Sequence, residues 1–376
     1  MNRIQLPNMI KKVCTNCVMD DSDPEIEFDD SGVCNHCKQA TILLQQKPYS
    51  LPLPEKEREW ELLVNKIKER GKGNKYDCLI GLSGGVDSTY VAYLVKKAGL
   101  RPLAVHLDNG WNSELSVINI ENICRTLDIE LFTKVLDWEE FKGLQMAFLK
   151  ASTPDSEVPT DHAIFATLFE LAAKFNIRYI LTGINIATES ILPRTWSYGH
   201  WDWKYIRSIN RIFGQKRLSG FPHYSLGKLI YNLKIRKIQW ISILNYVEFN
   251  KKEAKDLIQK ELNWRDYGGK HHESIYTKFF QTYILPRKFG IDKRKAHLSA
   301  LICSGQISRA EAIEELKNPI SIDIEAKNER EYLTKKFGIS DSEFEDIMKA
   351  SPKTFHDYPN NWNLIERINR FRKRKK

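Results

Sequence analysis

An α/β fold built on a doubly wound parallel sheet is predicted by three observations. Short apolar runs alternate with helix-length stretches between Tyr76 and Gly183. A glycine-rich turn, Ser83-Gly84-Gly85-Val86-Asp87-Ser88, joins the first run to the first helix of that series. A cysteine-containing segment precedes the series and helical stretches follow it. Strands alternating with helices of this length imply a parallel sheet covered on both faces.

The elements follow in order. A Pro-containing connector (Pro48, Pro52, Pro54) leads to a helix over Glu55 to Arg70, ended by the Gly71–Gly73 break. Strands are predicted at Asp77 to Leu82, Arg101 to Asp108, Ile129 to Val135 and Arg178 to Gly183. Helices are predicted at Val86 to Lys97, Ser113 to Leu127, Trp138 to Lys150, and His162 to Phe175 with Asp161 as N-cap. Residues 189–250 lose this rhythm and are rich in Trp, Tyr, Arg and Lys. Helices return at Lys251 to Leu262, Ser274 to Leu285, Arg309 to Leu316 and Glu329 to Phe337. Three regions result: a module over 1–45, the sheet domain over 46–250 and a mainly helical region with a basic tail over 251–376.

Composition narrows the function classes. The 376 residues are 42% hydrophobic and 11% aromatic, as expected of an enzyme-sized globular chain. No apolar run approaches the ~20 residues of a membrane-spanning helix, and no secretory h-region is visible, so a cytoplasmic protein is expected. The net charge is +10, and the last ten residues alone carry seven Lys or Arg. That tail reads either as a solvated helix end or as a weak contact with phosphates or lipid headgroups. Seven cysteines, an odd count, argue against a secreted disulfide framework.

The chemistry concentrates in Ser83–Thr89. A glycine-rich turn between a strand and a helix suits a phosphate cradle: glycines admit close approach and positive φ, and successive amides point at one anion. Ser83, Ser88 and Thr89 add hydroxyls. The spacing is neither GxxxxGK[ST] nor GxGxxG. It matches the PP-loop of the ATP-pyrophosphatase superfamily, which holds the pyrophosphate of ATP and cleaves between the α and β phosphates. Asp87 would repel phosphate unless a cation intervened, so it is assigned to Mg²⁺. The bland alternative is a tight turn with a capping Asp. Ligands of open parallel sheets bind beyond the carboxyl ends of the strands. Asp108 and Gly183, at two such ends, are therefore candidate ATP contacts, or else ordinary turn residues.

Cys14-x₂-Cys17 and Cys34-x₂-Cys37 have zinc-ribbon spacing. Four thiolates form a closed structural zinc site, with His36 a bystander.

The cysteine pairs, SGGVDS, Trp264 to Gln281 (WRDYGGKHHESIYTKFFQ) and Phe289 to Ser299 (FGIDKRKAHLS) together resemble one family. It is the N-acetyl sugar amidotransferases of bacterial surface-polysaccharide biosynthesis, the WbpG and PseA type. The resemblance runs from about Cys14 to about Tyr358. It implies a parallel sheet of the PP-loop (adenine nucleotide alpha hydrolase-like) type, with an N-terminal zinc ribbon. It also implies that ATP adenylates the acetamido oxygen of a nucleotide-activated sugar, that ammonia replaces it, and that an acetamidino sugar results. Lys270, His271, His272 and Glu273 are then placed near the reacting amide or the pyrophosphate. Arg294 and Lys295 are placed to neutralise the leaving pyrophosphate. For each of these a surface charge on a helix is the competing reading. The aromatic stretch Trp196 to Tyr205 is assigned either to the sugar or base site or to core packing.

Ammonia needs a source. Asn2 stands where one glutaminase class requires Cys, and Cys78, Cys124 and Cys303 occupy no nucleophile elbow. The resemblance implies a separate glutaminase subunit similar to that of the histidine pathway, possibly with its cyclase-like companion. The rival reading is a tRNA-thiolating PP-loop enzyme. Against it stand the absence of a CxxC after Cys37 and Val86 where such enzymes commonly carry Lys. A nucleic-acid partner is therefore not expected.

Overall fold

The computed structural model describes residues 12–269, 272–321 and 323–373. Its centre is a five-stranded sheet: β1 (Cys78–Gly81), β2 (Pro102–Asp108), β3 (Glu130–Val135), β4 (Tyr179–Thr182) and β5 (Gln239–Ser242). The order is β3-β2-β1-β4-β5, and every neighbouring pair is parallel. Side chains alternate between two faces along each strand. Cys78, Ile80, Ala104 and Leu181 meet one group of helices, whereas Leu79, Leu103, Val105 and Ile180 meet another.

The N-terminal module ends in α1 (Asn35–Leu44), and α2 (Leu53–Gly71) enters the sheet domain. Helices α2, α3 (Val86–Lys97) and α4 (Glu114–Leu127) cover the first face. α5 (Trp138–Ala151) leads into α6 (Val158–Lys174), which covers the second. After β4 come α7 (Ile186–Glu189), α8 (Trp203–Phe213) and α9 (Leu226–Ile230), the last continuing as a π-helical turn over Tyr231–Ile235. α10 (Lys251–Leu262) returns to the first face, where Ile258 and Leu262 join its core.

The four expected strands lie within a residue of their predicted limits. Three expectations are corrected, one being the helix expected from Glu329, which begins at Asp323. The helix placed at His162 begins at Val158, with Glu157 as N-cap and Asp161 inside the first turn. Pro159 sits in that first turn, where its missing N–H costs nothing. Residues 189–250 also contain a strand, β5, which has only four residues and lies at the sheet edge. Its residues are exposed or half-buried, so it lacks the buried apolar run that marks the equally short β1 and β4.

The remaining helices are α11 (Ile275–Phe279), prolonged in π-helical form to Phe289 through Pro286, α12 (Lys293–Cys303), α13 (Arg309–Lys317), α14 (Asp323–Phe337), α15 (Asp341–Lys349) and α16 (Trp362–Lys373). Segment 273–275 is stitched to the loop after β2. The Ser113 amide donates to the Glu273 carbonyl at 2.9 Å, and the Ile275 amide to that of Trp111 at 2.9 Å. This pairing carries the C-terminal helices onto the carboxyl end of the sheet.

Candidate active site

The strand order reverses at β1, which pairs with β2 on one side and β4 on the other. Such a switch point opens a crevice beyond the strand ends. A cavity of about 270 Å³ lies there. Its floor is Ser83, Gly85, Val86, Asp87 and Ser88 after β1, with Gly183 after β4. Its wall includes Glu189, Lys251 and Lys255, and its roof Trp264, Tyr267 and Glu273.

The loop is held by its own hydroxyls. The Gly85 amide donates to Ser83 Oγ at 3.2 Å, the Ser83 amide to Ser88 Oγ at 3.3 Å, and Thr89 Oγ1 to the Gly85 carbonyl at 2.7 Å. Gly84 has φ +80°, and a Cβ there would stand 2.7 Å from the Ser116 carbonyl oxygen. The position therefore requires glycine for conformation and for space. A Cβ on Gly183 would meet the Asp87 backbone and Cβ at 2.9 Å. Gly183 thus lets the end of β4 close on the first turn of α3.

The roof locks the loop from above. The buried Trp264 indole donates to the Gly84 carbonyl at 2.7 Å. A Cβ on Gly85 would lie 3.2 Å from the Tyr267 hydroxyl and 3.4 Å from Glu273 Oε1. Burial, with the Glu273 and Asp87 carboxylates nearby, pushes the Tyr267 hydroxyl well above the usual phenol range, so it remains a neutral donor. Asp87, Glu189 and Glu273 offer the hard oxygen ligands that Mg²⁺ prefers. Lys251 and Lys255 also line the cavity, and the Lys255 ammonium is already paired there with Asp266.

The predicted site residues divide accordingly. Ser83, Gly85, Asp87, Ser88, Gly183 and Glu273 line the cavity, and Gly84 and Thr89 shape its loop. Asp108 does not line it: its carboxylate closes the turn after β2 by accepting from the Gly110 amide at 2.9 Å and Asn112 Nδ2 at 3.3 Å. Lys295 is corrected too. Its ammonium pairs with Asp20 of the cysteine module, away from the cavity lining, so its charge is already compensated. Arg294 is likewise bound to Asp292 and to the Asn318 carbonyl. Lys270 and His271 lie outside the described residues. Sequence reasoning did not single out Glu189, Lys251 or Lys255. Only their proximity in space marks them, since they sit half-buried on a one-turn helix and on α10.

The aromatic stretch is mostly core. Trp196 and Tyr205 are fully buried, and Trp203 stacks on His162 and His223. Beside it lies a second polar cluster that sequence reasoning missed. His200 Nε2 stands 3.2 Å from carboxylate oxygens of both Asp155 and Asp161. Burial works against its charge, but the two aspartates prevail over it and over Lys293, pushing the imidazole up to about 9. Ser197 Oγ donates to Asp155 at 2.5 Å. All these partners converge on one ring nitrogen, which is not the geometry of a nucleophile triad: a triad base uses both nitrogens. Burial, reinforced by Asp161 and Asp155 and opposed by Thr277 and Lys293, pushes the neighbouring Glu157 carboxyl up to about 8.

The four paired cysteines converge. Their sulfurs lie within 4.8 Å of one another, all buried. The Cys14–Cys37 and Cys17–Cys34 separations are 3.8 Å. A tetrahedron with Zn–S bonds of about 2.3 Å has edges of about 3.8 Å, so the group fits zinc. Amides of Cys17 and Cys34 donate to Cys14 Sγ at 3.4 and 3.3 Å, the usual support for thiolates. His36 points away and bonds Asp23 at 2.6 Å.

Comparisons with known proteins agree with this geometry. Residues 57–157 match the NAD synthase family, and residues 273–369 match the family described as LPS biosynthesis protein WbpG-like, C-terminal domain. The two matched segments together support a likeness to WbpG-type PP-loop proteins. An uncharacterised protein of Methanocaldococcus jannaschii is 26% identical over 172 residues, 45% of this chain and 58% of that protein. The tRNA-specific 2-thiouridylase MnmA 2 of Fusobacterium nucleatum is 32% identical over 111 residues, 28% of this chain and 32% of that one. The chain thus spans less than two thirds of either relative. Among solved structures, NMN synthetase from Francisella tularensis matches at 16% identity and TM-score 0.29, covering 56% of this chain and 87% of that one. The NH3-dependent NAD synthetase from Campylobacter jejuni matches at 20% and 0.29, covering 57% and 85%.

Proposed function

We propose that this chain is an ATP-dependent amidotransferase that converts the acetamido group of a nucleotide-activated sugar into an acetamidino group, for surface-polysaccharide biosynthesis. The observation that carries the reading is the roof of the cavity. Trp264 and Tyr267, just before the WbpG-like region that begins at residue 273, and Glu273, its first residue, lie over the PP-loop. That region is thereby joined to an ATP site.

The reaction divides into two displacements. The amide oxygen attacks the α-phosphorus of ATP, and the bond to the bridging oxygen of pyrophosphate breaks. Ammonia then adds to the activated carbon, the C–O bond breaks, AMP leaves and a proton is lost. The loop amides and the Ser83 and Ser88 hydroxyls bind the β and γ phosphates. Lys251 helps neutralise the leaving pyrophosphate. Asp87 and Glu189 hold Mg²⁺, which when bound neutralises phosphate charge. The roof excludes water from the adenylated adduct. The four-cysteine group holds zinc in a structural role.

The thiouridylase likeness keeps a thiolating alternative in view. Sulfur transfer of this kind usually uses reactive cysteines or an iron–sulfur cluster beside the loop, and among the described residues no cysteine lines the cavity. Incubation with ATP, ammonium and a panel of acetamido UDP-sugars tests the reading. AMP release should depend on the sugar, and the product should show the small mass decrease of oxygen exchanged for NH. AMP release that instead required tRNA would overturn it.

A further inference from the structure

The 45 residues from Trp203 to Val247 contain nine Lys or Arg and no acid. After α8, which with its following loop carries five of the nine, comes a second helical stretch, α9 and its π-helical extension, Leu226–Ile235. A surface helix ordinarily turns its apolar stripe inward. This one buries only Asn232 completely, which bonds the Tyr224 hydroxyl at 3.3 Å, and half-buries Leu229 against the core behind β5. Ile230 (52% exposed), Tyr231 (49%), Leu233 (40%) and Ile235 (68%) face out. Lys228, Lys234, Arg236 and Lys237 are exposed among them. The helix is nevertheless anchored: Arg236 donates to the Ala173 carbonyl at 2.8 Å, and Ile238 is buried where the chain enters β5. Trp201, 43% exposed, packs beside the same edge strand against Trp240.

We propose that this face is a docking surface for an anionic lipid bilayer. Two features select that occupant. The charge carried by the helix itself is of one sign, so the complementary surface is negative. The lysines are also interleaved with the aliphatic tips rather than confined to a rim. Protein interfaces deplete Lys from their apolar centres, because its ammonium would lose its water there. At a bilayer surface the same arrangement is favourable: aliphatic and aromatic tips enter the acyl boundary, while Lys and Arg extend to the headgroup phosphates. The contact is peripheral, since no helix among the described residues is long and apolar enough to cross a membrane. It would hold the protein at the membrane without involving the ATP cavity.

The full chain is sedimented with vesicles of phosphatidylcholine containing phosphatidylglycerol, and with pure phosphatidylcholine. Wild type should bind the anionic vesicles and release at raised salt. The double variant Ile230→Ser/Ile235→Ser, and separately Lys234→Gln/Lys237→Gln, should each weaken binding by about tenfold or more. Melting temperature and solution AMP formation should not change, because these side chains are exposed and outside the cavity. Absence of vesicle binding overturns the proposal. So does binding that survives Ile230→Ser/Ile235→Ser, which would assign it to charge elsewhere, such as the basic tail. A dimer that dissociates on the same substitution would place a second copy on this face instead.

Discussion

Asp87 is the acid in a loop otherwise arranged to attract anions, and its backbone is pressed against Gly183. The Asn variant keeps the shape and removes the charge. Asp87→Asn should leave the melting temperature within a few degrees of wild type and reduce AMP formation by about a hundredfold or more. Unaltered activity with ordinary magnesium dependence would show that the metal is held elsewhere. His200 makes a stability prediction at the same scale. Its folded pKa is raised to about 9 by Asp161 and Asp155 against burial. A raised histidine stabilises fully below its unfolded pKa of about 6.5 and loses that contribution as pH climbs through 9. The groups facing it are Asp155, Asp161 and Lys293, with Ser197 sharing its Nε2. His200→Gln should therefore cost up to about 3 kcal/mol at pH below 6.5, and less as pH rises. A difference in stability that stays constant across that window would refute the ion cluster.

At the scale of elements, the cysteine module is fastened to α12 and α13 as well as to its own knuckles. The Val18 amide donates to Ser299 Oγ at 3.2 Å, Arg309 donates to the Cys14 and Cys17 carbonyls at 3.1 and 3.0 Å, and Lys295 pairs with Asp20. Elemental analysis should find one zinc per chain. Chelation or Cys34→Ser should unfold the module and lower solubility before ATP chemistry is altered, because the PP-loop and its roof belong to other elements. Hydrogen exchange would localise the loss to residues 12–45 and the faces of α12 and α13 beneath them. Iron with a visible chromophore, or no metal, would reject the assignment.

For the whole molecule the open quantity is the nitrogen supply. Cys78 is buried in β1, where desolvation raises its thiol above the ordinary range. Cys124 lies on α4, raised to about 11 by burial, and Cys303 Sγ is 3.8 Å from Cys37 Sγ. None of the three lines the cavity. The isolated chain is expected to use ammonium but not glutamine, and to use glutamine only with a glutaminase partner. Ammonium is mostly protonated at neutral pH, so the rate should rise with pH until another group titrates. Stoichiometric glutamate release by the purified chain alone would contradict this.

The amino-acid sequence by itself determined the local pieces: four strands, the helices between them, the SGGVDS loop and the cysteine knuckles. Each depends on residues close in the chain, whose periodicity, glycines and spacing act over a few positions. Tertiary structure decided what lies opposite them. The fifth strand has four edge residues and becomes a strand only by pairing with β4. Trp264 reaches the Gly84 carbonyl across 180 positions, and Lys295 reaches Asp20 across 275. Lys295 looked like a phosphate partner because its sequence neighbourhood says nothing of an acid so distant in the chain. The 155–161 and 197–200 segments carry ordinary polar residues, and only packing turns them into a cluster with shifted charge states. Proximity across the chain follows from the order in which strands and helices stack, and no local pattern encodes it.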